Sequence, residues 1–231
     1  MAAASRRNDI VDACNQSMAR VTLCGLVERL IVARHAESAY NLQALISADP
    51  LSHRSPLTSR GILQARSLAD RLAGDAIDLC VTSGTLRAVQ TGEIVASALS
   101  IPLTKTPLLD DPPAGVFEDG PVEAFVRWMS VCDADTQVPG TTKSLRDSAR
   151  RYFEAARFLL RRPERTVLVV AHAPALRWIL QAALGRTDPL DYSSPLFAHT
   201  DPAEVDVRAL RSNMDQLVTD PFVVFSGRGN G

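Results

Sequence analysis

Three short strand-like runs in this chain lead into residues able to handle an anion. Leu30 to Ala33 stops at Arg34-His35, with Glu37 two residues on; Ile77 to Val81 is followed by the polar turn Thr82-Ser83-Gly84-Thr85 and then Arg87; Thr166 to Ala171 stops at His172. Apolar, partly β-branched runs of this length fit strands buried on both faces. Ligands of open α/β sheets sit at the carboxyl ends of strands, so an Arg-His pair there is placed for chemistry on something anionic. For an isolated pair the simpler explanation is a structural histidine closing a strand beside a surface arginine. The rest of the chain shifts the reading toward chemistry.

The elements that must position these residues follow from periodicity and caps. Ser38 can cap a short helix to about Ile46, and the polar, proline-bearing stretch Ser47 to Pro56 reads as a loop. Thr58 or Ser59 can cap a helix whose apolar positions Ile62, Ala65, Leu68, Ala69 and Leu72 keep helical spacing until Gly74. Arg87 falls in the first turns of the helix after the second strand. Pro102 to Thr106 reads as a short strand, and two prolines forbid a regular element over Leu109 to Glu118. Val122 to Cys132 looks helical, with Phe125, Trp128 and Met129 on one side, and a long helix is expected from about Ser144 to Leu160. Pro174 suits a helix start, and that helix runs through Leu184 to Gly185. Val205 to Leu210 and Phe222 to Phe225 are weaker strand candidates.

At 231 residues and 46% hydrophobic, the chain can bury one sizeable core. Alternating strands and helices imply a single domain over 29–231, a three-layer α/β/α sandwich with a mostly parallel central sheet. Residues 1–28 read as an N-terminal extension, helical over Asp9 to Arg20 or disordered. Asp9 and Asp12 argue against a transit peptide, and Met18 stays open as an alternative start. The net charge is −1 with Lys and Arg scattered, so neither a nucleic acid nor a membrane surface is expected as partner. Without a spanning apolar window or a signal core the expectation is a soluble, cytoplasmic protein. Cys14, Cys24, Cys80 and Cys132 lie far apart and read as reduced, mostly buried thiols, so no metal site and no cofactor are expected.

Four motifs taken together resemble the histidine phosphatase superfamily, also called phosphoglycerate mutase-like. Arg34-His35-Ala36-Glu37-Ser38 with Asn41 resembles its Arg-His-Gly-Glu-Ser signature; Leu57-Thr58, Gly61 and Gln64-Ala65 resemble its Leu-Thr-x-x-Gly-x-x-Gln-Ala helix start. Ser83, Leu86-Arg87-Ala88 and Gln90-Thr91 resemble a third segment, and His172 with Arg177 the second-histidine motif. The likeness covers roughly Arg29 to Leu184, in order and with ordinary spacings.

The resemblance implies a phosphoglycerate mutase-like fold and a phosphohistidine intermediate on His35. A dianionic phosphoryl group needs charge stabilisation and an in-line nucleophile, and planar arginines match it with paired donors. Arg34 and Arg87 fit that role; Asn41 would add a neutral donor, and His172 would bind a phosphate oxygen. Pro174 removes a backbone donor after His172, so phosphate binding would rest on side chains. The family's acidic residue aligns on Asp111, one methylene shorter, with Glu118 as the alternative acid. Segment 106–143 would cover the substrate, and Val116, Phe117, Phe125, Trp128 and Met129 are candidates for an apolar part of its site.

The departures are Ala36 for a glycine, Arg54 for an aspartate, and Ala173-Pro174 for a Gly-Gly pair. Arg60 and Arg177 read as rim or structural residues, and His53 and His199 as surface histidines. Ser83 lacks the Gly-x-Ser-x-Gly elbow of a hydrolase nucleophile. The function implied is metal-independent hydrolysis of a small phosphorylated metabolite. Mutase-type phosphoryl transfer and a non-catalytic phosphate-binding member are the alternatives, and a homodimer stays open.

Overall fold

The computed structural model describes residues 27–185 and 198–217. Within them one sheet is built from β1 (Arg29–Arg34), β2 (Leu79–Thr82), β3 (Leu103–Lys105), β4 (Thr166–Ala171) and β5 (Pro202–Val205), in the order β3-β2-β4-β1-β5. Every pairing is parallel except that of β1 with β5. The helices are α1 (Ala39–Gln43), α2 (Ser59–Leu72), α3 (Leu86–Leu99), α4 (Val122–Met129), α5 (Leu145–Leu160), α6 (Ala173–Ala183) and α7 (Val207–Gln216).

Period-two alternation divides the strand side chains between two cores. Leu30, Val32, Leu79, Val81, Val167 and Val169 face α5, α6 and α7, whereas Ile31, Ala33, Cys80, Leu168 and Val170 face α2 and α3. The strands are apolar on consecutive residues because helices cover both faces, as the sequence predicts for a three-layer sandwich. A third, smaller cluster holds Phe125 and Met129 of α4 with Val138 and Leu145, and Ile46 and Trp128 pack on it.

Several boundaries differ from the sequence reading. Val205 to Leu210 is not a strand: Asp206 accepts the N–H of Ala209 at 2.9 Å and starts α7, leaving Val205 as the end of β5. Helix α1 stops at Gln43 rather than Ile46. Ala44 turns left-handed, and the backbone of residues 44–46 pairs instead with residues 119–122. The prolines of the 109–118 stretch do exclude a long element, leaving single helical turns at Pro107–Leu109 and Gly115–Phe117. Cys80 is buried, while Cys132 is only partly so. The extension before residue 27, with Cys14 and Cys24, and the candidate strand Phe222 to Phe225 lie outside the described residues. No helix among the described residues is long and apolar enough to cross a membrane.

Candidate active site

Parallel register brings the two histidines together. Arg34 pairs with Ala171 at the ends of β1 and β4, and the next residue on each strand is His35 and His172. His35 N–H donates to Ala171 O at 2.9 Å, and the two rings lie 5.1 Å apart. Ser83 leaves the neighbouring strand β2 on the same edge, its N–H donating to Val170 O at 3.3 Å. Arg87 follows one turn later in α3.

The remaining motif residues fasten this edge. Thr58 caps α2 and donates to Glu37 Oε1 at 2.7 Å, Gln64 Oε1 accepts Glu37 N–H at 2.8 Å, and Gln90 Oε1 accepts Leu57 N–H at 2.9 Å. A Cβ on Gly61 would sit 2.1 Å from Glu37 O, so glycine is what lets α2 approach the loop after β1. Ala36 is buried with its N–H on Thr91 Oγ1 at 3.0 Å, and it is not among the positive-φ residues. An alanine in place of glycine therefore costs nothing in backbone strain here.

His35 Nδ1 lies 2.8 Å from the carbonyl of Ala36. A carbonyl only accepts, so Nδ1 carries the proton and Nε2 keeps its lone pair, toward which Arg87 Nε donates at 3.1 Å. Burial, with Arg87, His172 and Arg34 nearby, holds the His35 ring well below the usual histidine range, so it is neutral at pH 7. His172 is pushed down for the same reason, burial first and then Arg87 and Arg34. Its Nε2 lies 2.8 Å from Ser83 Oγ and 3.1 Å from Thr85 Oγ1, and its Nδ1 3.0 Å from Asp111 Oδ2. With both ring nitrogens engaged, the orientation of His172 is fixed.

Asp111 stands opposite, accepting from Arg87 Nη2 at 2.5 Å. Burial raises its carboxyl above the ordinary aspartate range against the pull of Arg87, Arg34 and Arg151, which suits a group that must hold and release a proton. Its backbone is anchored from α5: Arg151 donates to the carbonyls of Asp110 and Asp111 at 2.7 and 2.9 Å, and Tyr152 OH to Asp110 O at 3.1 Å. The Asp110 carboxylate accepts Gly84 N–H at 2.7 Å, tying the β2–α3 turn to the same segment. Neither Asp110 nor Arg151 stands out in the sequence.

A cavity of about 170 Å³ gathers Arg34, His35, Asn41, Arg87, Asp111 and His172 on its wall. Asn41 Oδ1 accepts from Ser38 N and Oγ in a cap of α1, which leaves its NH₂ as the donor half. Glu118 is placed elsewhere. Its carboxylate accepts the N–H groups of Ala48 and Asp49 at 3.0 to 3.4 Å and does not line the cavity. Phe125 and Met129 do line it; Phe117 and Trp128 stand behind Phe125, and Val116 is 67% exposed. Arg54 pairs with Asp119, linking the 47–56 loop to the covering segment. Arg60 is exposed beside Glu37, Arg177 is buried, and His53 is exposed.

The surface reading of His199 is corrected. Thr200, at φ 58°, donates its N–H to Arg34 O at 3.0 Å and offers its carbonyl to Arg71 of α2. This turn before β5 sets His199 Nδ1 2.7 Å from His35 O, with the rings 5.3 Å apart. The antiparallel return of β5 along β1 delivers it, a long-range contact that no local pattern announces. Removing the ring in His199→Ala frees one side of His35; if His35 is a nucleophile, its phosphorylation is expected to slow by about tenfold with a smaller change in substrate affinity. Single-turnover kinetics check this, and an unchanged rate would reduce His199 to a packing role.

The family model of the histidine phosphatase superfamily (branch 1) matches residues 30–207. The chain belongs to that family. A probable phosphoglycerate mutase, GpmB, of Proteus mirabilis is 28% identical over 165 residues, 68% of this chain and 75% of that protein. The fold matches a putative alpha-ribazole-5'-P phosphatase of Escherichia coli with a TM-score of 0.65 at 24% identity, over 89% of this chain and 98% of the other. It also matches a mycobacterial glucosyl-3-phosphoglycerate phosphatase with a TM-score of 0.61 at 20% identity, over 77% and 90%.

Proposed function

We propose that this protein is a metal-independent phosphomonoester hydrolase acting on a small phosphorylated metabolite. The observation that carries the reading is the unprotonated Nε2 of His35 facing Arg87, with Asp111 in hydrogen-bonding reach of both Arg87 and His172. His35 Nε2 attacks phosphorus, the ester P–O bond breaks, and the leaving alkoxide takes the proton of Asp111. Arg34, Arg87, His172 and the Asn41 amide hold the phosphoryl oxygens as charge builds. Water then attacks the phosphohistidine, Asp111 accepts its proton, and orthophosphate leaves. Glu118 is not used, because its carboxylate is committed to Ala48 and Asp49.

Phosphoglycerate mutase-type transfer is the second reading, favoured by the name of the Proteus relative. It shares the first half-reaction and differs in the acceptor, a substrate hydroxyl in place of water. A non-catalytic phosphate-binding member would form no intermediate.

Rapid quenching during turnover tests the proposal. The expected result is a phosphoprotein stable in alkali and lost in acid, with orthophosphate released at the rate of turnover. Because two arginines supply the charge a metal ion would, excess chelator is expected to leave the rate within about twofold. No phosphoprotein, or activity lost to the chelator and restored by a metal, would overturn it.

A further inference from the structure

Past the phosphoryl end, the cavity changes chemistry. Its wall there is Leu45, Ile46, Val122, Phe125, Val126 and Met129. Among the described residues lining the cavity, the only Arg or Lys side chains are Arg34 and Arg87, both committed to the phosphoryl end. Two of the polar groups beside the apolar wall are held within the protein, which leaves the neutral Ser47 hydroxyl and the Asn41 amide as the other polar side chains there. Tyr40 OH donates to Asp119 Oδ1 at 2.7 Å; Ser55 Oγ donates to Ser38 Oγ at 2.8 Å and accepts Tyr40 N–H at 3.3 Å.

We propose that the alcohol released by this enzyme is uncharged and apolar, an alkyl or aryl group, and not one bearing a carboxylate or a second phosphate. The inference rests on the phosphatase reading and names its substrate class. A carboxylate set against this wall would shed hydration and gain no further Arg or Lys partner among the lining residues, a loss that appears directly in kcat/KM. An apolar chain would gain by the same burial. The wall is formed before substrate arrives: Phe125 stacks on Trp128 at 5.7 Å and meets Phe117 edge-on at 5.4 Å, and Ile46 packs on the same cluster. It cannot rearrange cheaply to admit a charge. At about 170 Å³ the cavity is of the size that takes a benzene-sized group when apolar. A phosphoryl group fills part of it, so a longer chain would run out over Val122 and Val126, which are 40% and 43% exposed.

The test is a series of n-alkyl phosphates from methyl to hexyl, alongside 3-phosphoglycerate, with the full chain. From ethyl upward the alcohols are nearly equal leaving groups, so chain length reports contact with the wall and not the chemistry of bond breaking. The expected result is a rise in kcat/KM of about 2–4-fold per methylene over the first few carbons. 3-Phosphoglycerate should fall roughly 100-fold or more below butyl phosphate. In the rim variant Val126→Lys the ratio of 3-phosphoglycerate to butyl phosphate should increase by about tenfold. A flat series, 3-phosphoglycerate matching butyl phosphate, or an unmoved ratio in Val126→Lys would each count against the proposal. Labelling of His35 by nitrophenyl phosphate separates the two levels. Labelling with a flat series removes the apolar-alcohol proposal alone, whereas no labelling and no turnover of any ester removes the phosphatase reading and this proposal with it.

Discussion

His35→Ala is expected to lower kcat/KM for every phosphomonoester by at least about 10⁴-fold if the lost ring is the proposed nucleophile, because no neighbour can replace it. His172 is the nearest candidate, 5.1 Å away between ring centroids, but its nitrogens are held by Ser83, Thr85, Asp111 and Arg87. His199 faces His35 from the other side and does not line the cavity. The variant should remain folded, since His35 ends a strand and belongs to neither large core. It should also still bind inorganic phosphate, because Arg34, Arg87 and His172 remain. Turnover and phosphate binding measured on one preparation decide the matter. Retained activity would remove His35 as the nucleophile, and loss of phosphate binding would indicate a collapsed site.

The second large effect belongs to Asp111. If its carboxyl protonates the leaving oxygen, Asp111→Asn should slow alkyl phosphates by something like 10²–10⁴-fold, the usual scale of general acid catalysis. Phosphorylation of His35 by a nitrophenyl ester should survive far better, because that leaving group needs little help. Hydrolysis of the phosphohistidine would still be slow, for water would lack its base. Equal losses on both esters would make Asp111 a structural partner of Arg87.

The pH profile carries the same signature. The His35 ring is held well below the ordinary histidine range, so it stays neutral as pH falls through 6.5 and gives no acid limb there. Asp111 is raised, so if it is the proposed acid, the protonated form needed for ester cleavage is lost as pH climbs through its elevated pKa, and the rate falls on that side. Asp111→Asn should abolish this alkaline limb when wild type and variant are compared on one substrate. Stability follows a related rule. The two histidines are buried neutral, so below about pH 6.5 the unfolded chain takes up protons the folded protein refuses, and stability declines with acid.

The sequence by itself determined a good deal here, because the information was local. Unbroken apolar residues over Leu30–Ala33 and Val167–Ala171 announce strands covered on both faces, and the polar residue after each marks the sheet edge at which open α/β sheets place ligands. Gly61, Gln64 and Gln90 were legible as motif positions, although only the structure shows them fastening the loop after His35. What tertiary structure alone decided depends on contacts between distant segments. Asp111 and Glu118 are seven residues apart in one irregular loop, and nothing in their spelling says which meets Arg87 and which caps the N–H groups of Ala48 and Asp49. Val205 and Val207 read alike as β-branched residues, yet the cap supplied by Asp206 puts one in a strand and the other in a helix. His199 lies 164 residues from His35 in the chain and reaches it only because β5 returns antiparallel beside β1. Side-chain periodicity specifies which face of an element is buried, but register and chain return specify which residues meet, and those are properties of the assembled sheet.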